Sequence, residues 1–254
     1  MFLLNRSTDA PTGAKRLAAA VAQDLRTALT TQPRALLLVS GGRSPVAFFE
    51  ELRGQPLAWE RIDISLVDER SVGSDDSASN ENLVRSTLLV GAASPARWIS
   101  LMPKQCIDRS NDEWERAQYA AAIANDMADL SHPAVVVLGL GNDGHTASLF
   151  PDALEWPHAY DTQNRYVALQ PLHAPHARVS LSLSALKHQP CYMWAFGADK
   201  AETLIQLAHV VEQVSVDLRS AASKQRLQQA GPAACLMAEP DMELKIYCSD
   251  LDAK

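Results

Sequence analysis

Short apolar runs alternate with longer Ala- and Leu-rich segments along this 254-residue chain. Ala35–Val39 (ALLLV) and Ala134–Leu138 (AVVVL) are apolar throughout, the pattern of strands buried on both faces of a parallel sheet. Ile62–Val67 reads as a third strand, ending at Asp68-Glu69-Arg70. Over residues 13–29, Leu17, Val21, Leu25 and Ala28 recur on one helical face. Ser44 is placed to cap, and Pro45 to open, a helix over 45–53. A Ser- and Asp-rich loop (71–79) leads to a helix near 80–89, then a strand at Trp98–Leu101. Asn111–Leu130 reads as a long helix packing through Trp114, Ala117, Ala121 and Met127. Residues 152–165 read as irregular, followed by strands at 166–169, 178–184 and 191–196. Helices are expected at 200–213 and within 217–229, then two short strands near Ala234–Met237 and Leu244–Cys248. This rhythm predicts an α/β fold with a mostly parallel sheet flanked by helices.

Composition narrows the class. With 47% hydrophobic and 21% charged residues the chain can bury a large core, and disorder is excluded. The length suits one large α/β domain or two small ones, and one domain over 1–254 is the reading carried forward. The formal charge of −7 opposes nucleic-acid binding but not a small anion held by a local cluster of cations. Cys106, Cys191, Cys235 and Cys248 are widely spaced and form no CxxC pair, so reduced thiols are expected, with neither a zinc knuckle nor a disulfide framework. The start, MFLLNRSTDA, has no basic n-region or proper h-region, and no stretch suits a membrane span. A cytoplasmic location is the expectation.

Three polar loops follow three of the strands, and in open parallel sheets ligands bind beyond the carboxyl ends of strands. Ser40-Gly41-Gly42-Arg43-Ser44-Pro45 offers backbone N–H groups and a helix N-terminus to an anion, with Arg43 as an added charge. In Asp68-Glu69-Arg70, Asp68 ends the apolar run and is the better site candidate. Glu69 is equally compatible with a solvated surface, and Arg70 suits a substrate oxygen or a carboxylate. Gly139–Pro151 (GLGNDGHTASLFP) places Asp143 two residues before His145, a spacing at which a carboxylate can fix an imidazole tautomer for general-base work. Thr146 and Ser148 are candidates for a helix cap or for contacts with substrate hydroxyls. GLGNDG matches GxGxxG in letters, but Pro151 follows too soon for the long helix of a dinucleotide site. There is no GxSxG elbow and no HExxH. His173 and His176 have metal-like spacing, but Pro175 lies between them and a loop is the better reading.

Taken together, the three loops resemble those of the 6-phosphogluconolactonase family: an SGG loop, DER with a downstream Ser79-Asn80, and GxGxDGHTASLFP. Arg178 in RVSLSLSAL and Lys200 in FGADKAETL extend the resemblance over about residues 35–205. It implies a modified Rossmann-like fold, similar to those of glucosamine-6-phosphate deaminases and ribose-5-phosphate isomerases. The implied reaction is hydrolysis of 6-phospho-D-glucono-1,5-lactone to 6-phospho-D-gluconate in the pentose phosphate pathway, without metal or organic cofactor. On this resemblance His145 is the base, Asp143 its orienter, and Asp68 and Arg70 act beside them. Ser40, Gly41, Gly42, Arg43 and Ser44 with Arg178 and Lys200 would bind phosphate. The expected partner is a phosphorylated sugar lactone, with no nucleic acid and no membrane; monomer and homodimer both remain open. Two other readings stand: a deaminase or isomerase of an amino-sugar phosphate, and a non-catalytic phosphosugar-binding protein. Residues 231–254 depart from the family pattern, so the end of the chain is the least defined part of the reading.

Overall fold

In the computed structural model, which describes residues 2–42, 44–215, 217–218 and 220–249, the buried apolar runs become one parallel sheet. In chain order the first half comprises β1 (Phe2–Ser7), α1 (Ala10–Ala28), β2 (Ala35–Val39), α2 (Val46–Arg53), β3 (Ile62–Leu66), β4 (Asp68–Arg70), α3 (Asn80–Thr87), β5 (Arg97–Trp98), α4 (Lys104–Ile107), α5 (Glu113–Asp126) and β6 (Val135–Gly139). The second half comprises α6 (Trp156–Tyr160), β7 (Tyr166–Leu169), β8 (Arg178–Leu181), α7 (Leu183–Leu186), β9 (Cys191–Ala195), α8 (Ala198–Val214), α9 (Ala221–Ala230), α10 (Pro232–Met237) and β10 (Leu244–Ser249). Seven strands pair in the order β1-β10-β9-β6-β2-β3-β5, every pair parallel. A smaller antiparallel sheet, β4-β8-β7, stands beside it. The α/β reading with a mostly parallel sheet therefore holds.

Two features of this layout position the site. From β2 the chain moves outward to β3 and β5, then returns to place β6 on the other side of β2. That reversal of direction opens a crevice at the carboxyl ends of β2 and β6. Then, just after β3, the chain changes sheets. Val67 still donates its N–H to the Val39 carbonyl at 3.0 Å, but its own carbonyl accepts from Leu181 at 2.8 Å. Asp68–Arg70 thus forms not a loop but the edge of the antiparallel sheet.

Several boundaries differ from the sequence reading. α1 begins at Ala10, because Asp9 accepts from the Thr12 N–H at 2.7 Å and Pro11 sits where the first turn needs no donor. Pro45 precedes α2 as its N-cap position, and Ser44 makes no side-chain capping bond because it stands one residue outside. The expected strand at 98–101 reduces to Arg97–Trp98, since only that stretch pairs with β3. The helix expected at 111–130 is α5 followed by a separate 3-10 turn, because Met127 leaves helical geometry (ψ 110°). Within 152–165 a short helix, α6, forms on Pro157 in its first turn. The strand expected over 178–184 stops at Leu181 because Ser182 caps α7. Ala234–Met237 is helical, not a strand. Its residues are all buried, so no periodicity marks it, and Gly231 (φ +109°) with Pro232 at the first position starts a helix. β1, not anticipated, exists because β10 offers it an edge, Phe2 to Ser7 aligning with Leu244 to Ser249.

Candidate active site

Three neighbouring strands end together: β6, β2 and β3 deliver Gly139–Pro151, Ser40–Pro45 and Asp68–Arg70 to one rim. A cavity of about 190 Å³ opens there. Ser40, Gly41, Gly42 and Ser44 line one wall, and Asp68, Arg70 and Arg178 another. His145 and Lys200 also line it. Asp143 does not line it and reaches the cavity only through His145. Arg43 lies outside the described residues.

The histidine loop is built tightly. Gly141 N–H donates to the His145 carbonyl at 2.8 Å, and Gly144 N–H to the Gly141 carbonyl at 3.1 Å. Asp143 Oδ1 accepts the His145 backbone N–H at 3.1 Å and lies 2.5 Å from His145 Nδ1. Burial pushes the Asp143 carboxyl up, but the hydrogen bond and charge of His145 outweigh it and hold the group at about 2. Gly141 is required by close approach: a Cβ there would fall 2.0 Å from His145 Nδ1. The imidazole also stacks on Phe150, with ring centroids 4.2 Å apart and planes at 25°. The divergent end of the chain supports the same loop, since Ala233 N–H donates to the Gly144 carbonyl at 3.1 Å.

Thr146 and Ser148, read as possible caps or substrate contacts, are fully buried and brace the loop instead. Thr146 Oγ1 donates to the Gly139 carbonyl at 2.8 Å. Ser148 Oγ donates to Asp68 Oδ2 at 2.5 Å and accepts from Arg178 Nη1 at 3.3 Å. Arg178 also donates to the Pro175 carbonyl at 3.1 Å, and burial lowers its pKa against the pull of Asp68. Arg70 donates through Nη1 to the Ala78 carbonyl.

Glu69, which the sequence left divided between site and surface, is 1% exposed. Its carboxylate accepts from the N–H groups of Arg70 (2.7 Å), Asn80 (2.9 Å) and Glu81 (2.7 Å) and from Ser79 Oγ (3.0 Å). Burial raises it to about 7 against these four donors. It thereby clamps the start of α3 to β4. Asn80 is set by that clamp: Nδ2 donates to the Asp68 carbonyl at 2.9 Å, and Oδ1 lies 2.1 Å from where a Gly41 Cβ would be.

Lys200, in the first turn of α8, rests its Nζ 2.6 Å from Asn142 Oδ1. Burial lowers its pKa against the charges of Asp143 and Asp199. Ser40 Oγ accepts the Gly139 N–H at 3.1 Å, tying the first loop to the third. His173 and His176 are separately engaged, with Asp152 at 2.5 Å and Glu113 at 3.0 Å. The four cysteines are all buried and unbonded to one another. Among the described residues no helix is long and apolar enough to cross a membrane.

Sequence reasoning missed Phe150 altogether, gave Asn80 only as part of the family pattern, and read Ser148 as a cap or substrate contact instead of as a brace for Asp68. Asn80 was within reach, as the residue after a Ser that caps a helix. Phe150 carried no signal beyond lying in a Gly-initiated loop.

Among the described residues, three basic side chains, one carboxylate and an Asp-paired histidine line this cavity at the carboxyl edge of a parallel sheet, an arrangement suited to a small anionic molecule. The family model of glucosamine-6-phosphate isomerases/6-phosphogluconolactonases matches residues 8–231, and the chain belongs to that family. It is 40% identical over 190 residues to a 6-phosphogluconolactonase of Neisseria meningitidis serogroup A, covering 74% of this chain and 80% of that one. A crystal structure of a 6-phosphogluconolactonase from Shewanella baltica superimposes with a TM-score of 0.81 at 31% identity, covering 98% and 97% of the two chains. A monomeric glucosamine-6-phosphate deaminase shares the fold alone, with a TM-score of 0.68 at 14% identity over 96% of each chain.

Proposed function

We propose that this chain hydrolyses 6-phospho-D-glucono-1,5-lactone to 6-phospho-D-gluconate, as a single catalytic domain with His145 as the base. The observation that carries the reading is the His145–Asp143 pair, set 2.5 Å apart on the rim of a cavity that also holds Asp68, Arg70, Arg178 and Lys200. The relatives named for this activity support the substrate class.

Asp143 is ionised and accepts the Nδ1 proton, which leaves Nε2 as the basic nitrogen. Nε2 takes a proton from water as the oxygen attacks the lactone carbonyl. The carbonyl electrons move to oxygen, and the tetrahedral oxyanion is met by Arg70 or by backbone N–H groups of the glycine loops. Collapse breaks the bond from the carbonyl carbon to the ring oxygen, and the imidazolium returns its proton to that oxygen. Asp68, held through one oxygen by Ser148, keeps the other for a sugar hydroxyl or the water. The phosphate is assigned to the Ser40–Ser44 backbone and the N-terminus of α2, with Lys200 and Arg178. Lys200 is the freer of these two cations, because Arg178 already serves Ser148 and the Pro175 carbonyl.

The test is hydrolysis of freshly prepared lactone, corrected for spontaneous opening, beside glucosamine-6-phosphate as the competing substrate. Enzyme-dependent formation of 6-phosphogluconate is expected. Release of ammonia and fructose-6-phosphate from the amino sugar, without lactone hydrolysis, would replace this reading with the deaminase one.

A further inference from the structure

Beyond Asp143, His145 has one more fixed neighbour that no hydrogen bond reveals. The Phe150 ring lies against the imidazole at 4.2 Å between centroids and 25° between planes. The same ring lies 5.1 Å from the Arg178 guanidinium carbon. Phe150 is itself fixed: it is 8% exposed and follows Leu149, whose N–H donates to the Thr146 carbonyl at 3.0 Å.

An Asp bonded to Nδ1 sets the tautomer and one point of the ring. The ring turns on two side-chain torsions and that bond restrains one of them, which leaves a coupled rocking motion that carries Nε2 sideways in the cavity. A flat neighbour against the ring face removes that freedom. Gly141, with no Cβ, makes room at the Nδ1 edge, and Phe150 closes a face. We propose that Phe150 is a positioning residue, an aromatic plate that fixes the orientation of the His145 imidazole and so aims Nε2 at the attacking water. The proposal rests on His145 being the base.

Its consequence is specific. Phe150 does not line the cavity, and Arg178, which it also faces, is held independently by Ser148 and the Pro175 carbonyl, so loss of the ring lowers turnover far more than substrate binding. An imidazole free to rotate spends most of its time off the productive line, and misplacement by about an ångström costs as much as 10²-fold. Phe150→Leu keeps a buried apolar side chain but no ring face. We expect kcat to fall about tenfold with KM within twofold, and Phe150→Tyr, which restores the ring, to recover most of the rate. The charged groups around the imidazole (Asp143 on its own loop, and Asp68, Arg70, Arg178 and Lys200 on neighbouring elements) are the same in all three proteins.

The experiment pairs these kinetics with NMR of the wild-type protein carrying labelled histidine, the His145 signals being assigned by their absence in His145→Ala. Stacking predicts upfield-shifted His145 ring protons with cross-peaks to an aromatic ring, both lost in Phe150→Leu. Cross-peaks absent from the wild type would overturn the proposal, even if Phe150→Leu failed to fold. So would a Phe150→Leu enzyme with unchanged kcat, or one whose loss appears in KM. If instead His145→Ala retains full hydrolysis, it is the assignment of His145 as the base that fails, while the NMR still reports whether the stack exists.

Discussion

Gly141→Ala adds a single methyl group and sets it against the proposed base. The backbone of Gly141 is not in the left-handed region, so alanine brings no backbone strain there. Its Cβ would lie 2.0 Å from His145 Nδ1, 2.3 Å from Cε1 and 2.6 Å from Asp143 Oδ1. Heavy atoms rest in contact at about 3.5–4.0 Å. The imidazole must therefore retreat by more than ~1 Å, and the bond to Asp143 breaks as it goes. A displacement of that size costs up to ~10²-fold in rate, and complete loss of a general base costs about 10²–10⁴-fold. We expect kcat/KM to fall by about 10²–10³, or roughly 3–4 kcal/mol of transition-state stabilisation. Stability should change little, because the His145 side chain is 30% exposed and has solvent to swing into. The assay is lactone hydrolysis corrected for the spontaneous rate, with urea denaturation of the same preparation. A Gly141→Ala protein that keeps half its kcat/KM at unchanged stability would refute the claim that this loop aims a catalytic imidazole.

Three further outcomes follow from the same geometry. Lys200→Ala raises KM for the phosphorylated lactone by about 10–100-fold, the range for a charge-assisted contact, and leaves hydrolysis of unphosphorylated gluconolactone unchanged; equal losses on both substrates would remove Lys200 from the phosphate site. Glu69→Gln turns an amide NH₂ toward donors that now bond a carboxylate, and costs ~2 kcal/mol in urea denaturation; a cost near zero would mean that the clamp between β4 and α3 is dispensable. Asp143 has a depressed pKa, so its contribution to stability is complete above ~3.9 and is lost as pH falls through about 2. The stability gap between wild type and Asp143→Asn, kept below ~1 kcal/mol by solvent exposure, should be present at pH 4 and close toward pH 2; a gap already closed at pH 4 would contradict the pairing.

The sequence revealed what the backbone pattern forces. ALLLV and AVVVL are legible because only strands buried on both faces are apolar at every position, and the loops that follow them inherit a place at the carboxyl rim. That put Ser40, Asp68 and His145 together although 105 residues separate the first from the last. The elements that were missed lacked any local pattern. α10 is buried on all sides and carries no amphipathic period, and β1 exists only because β10, some 240 residues later, receives it. Glu69 stayed divided between site and surface because charge directly after a strand is compatible with both. Its burial depends on the N-terminus of α3 folding back to supply backbone donors, a tertiary fact. Ser148 and Thr146 were legible as polar residues in a functional loop but not as its braces, since their partners lie on β4, β6 and β8.

The most direct test of lactone hydrolysis by His145 is the opening of fresh 6-phospho-D-glucono-1,5-lactone, followed in parallel for buffer, wild type and His145→Ala. The wild type should open the lactone far faster than buffer, and His145→Ala should lose ~10²–10⁴ of that acceleration while still binding 6-phosphogluconate. Wild-type progress curves that match the buffer curve, or a His145→Ala enzyme with undiminished turnover, would contradict the account.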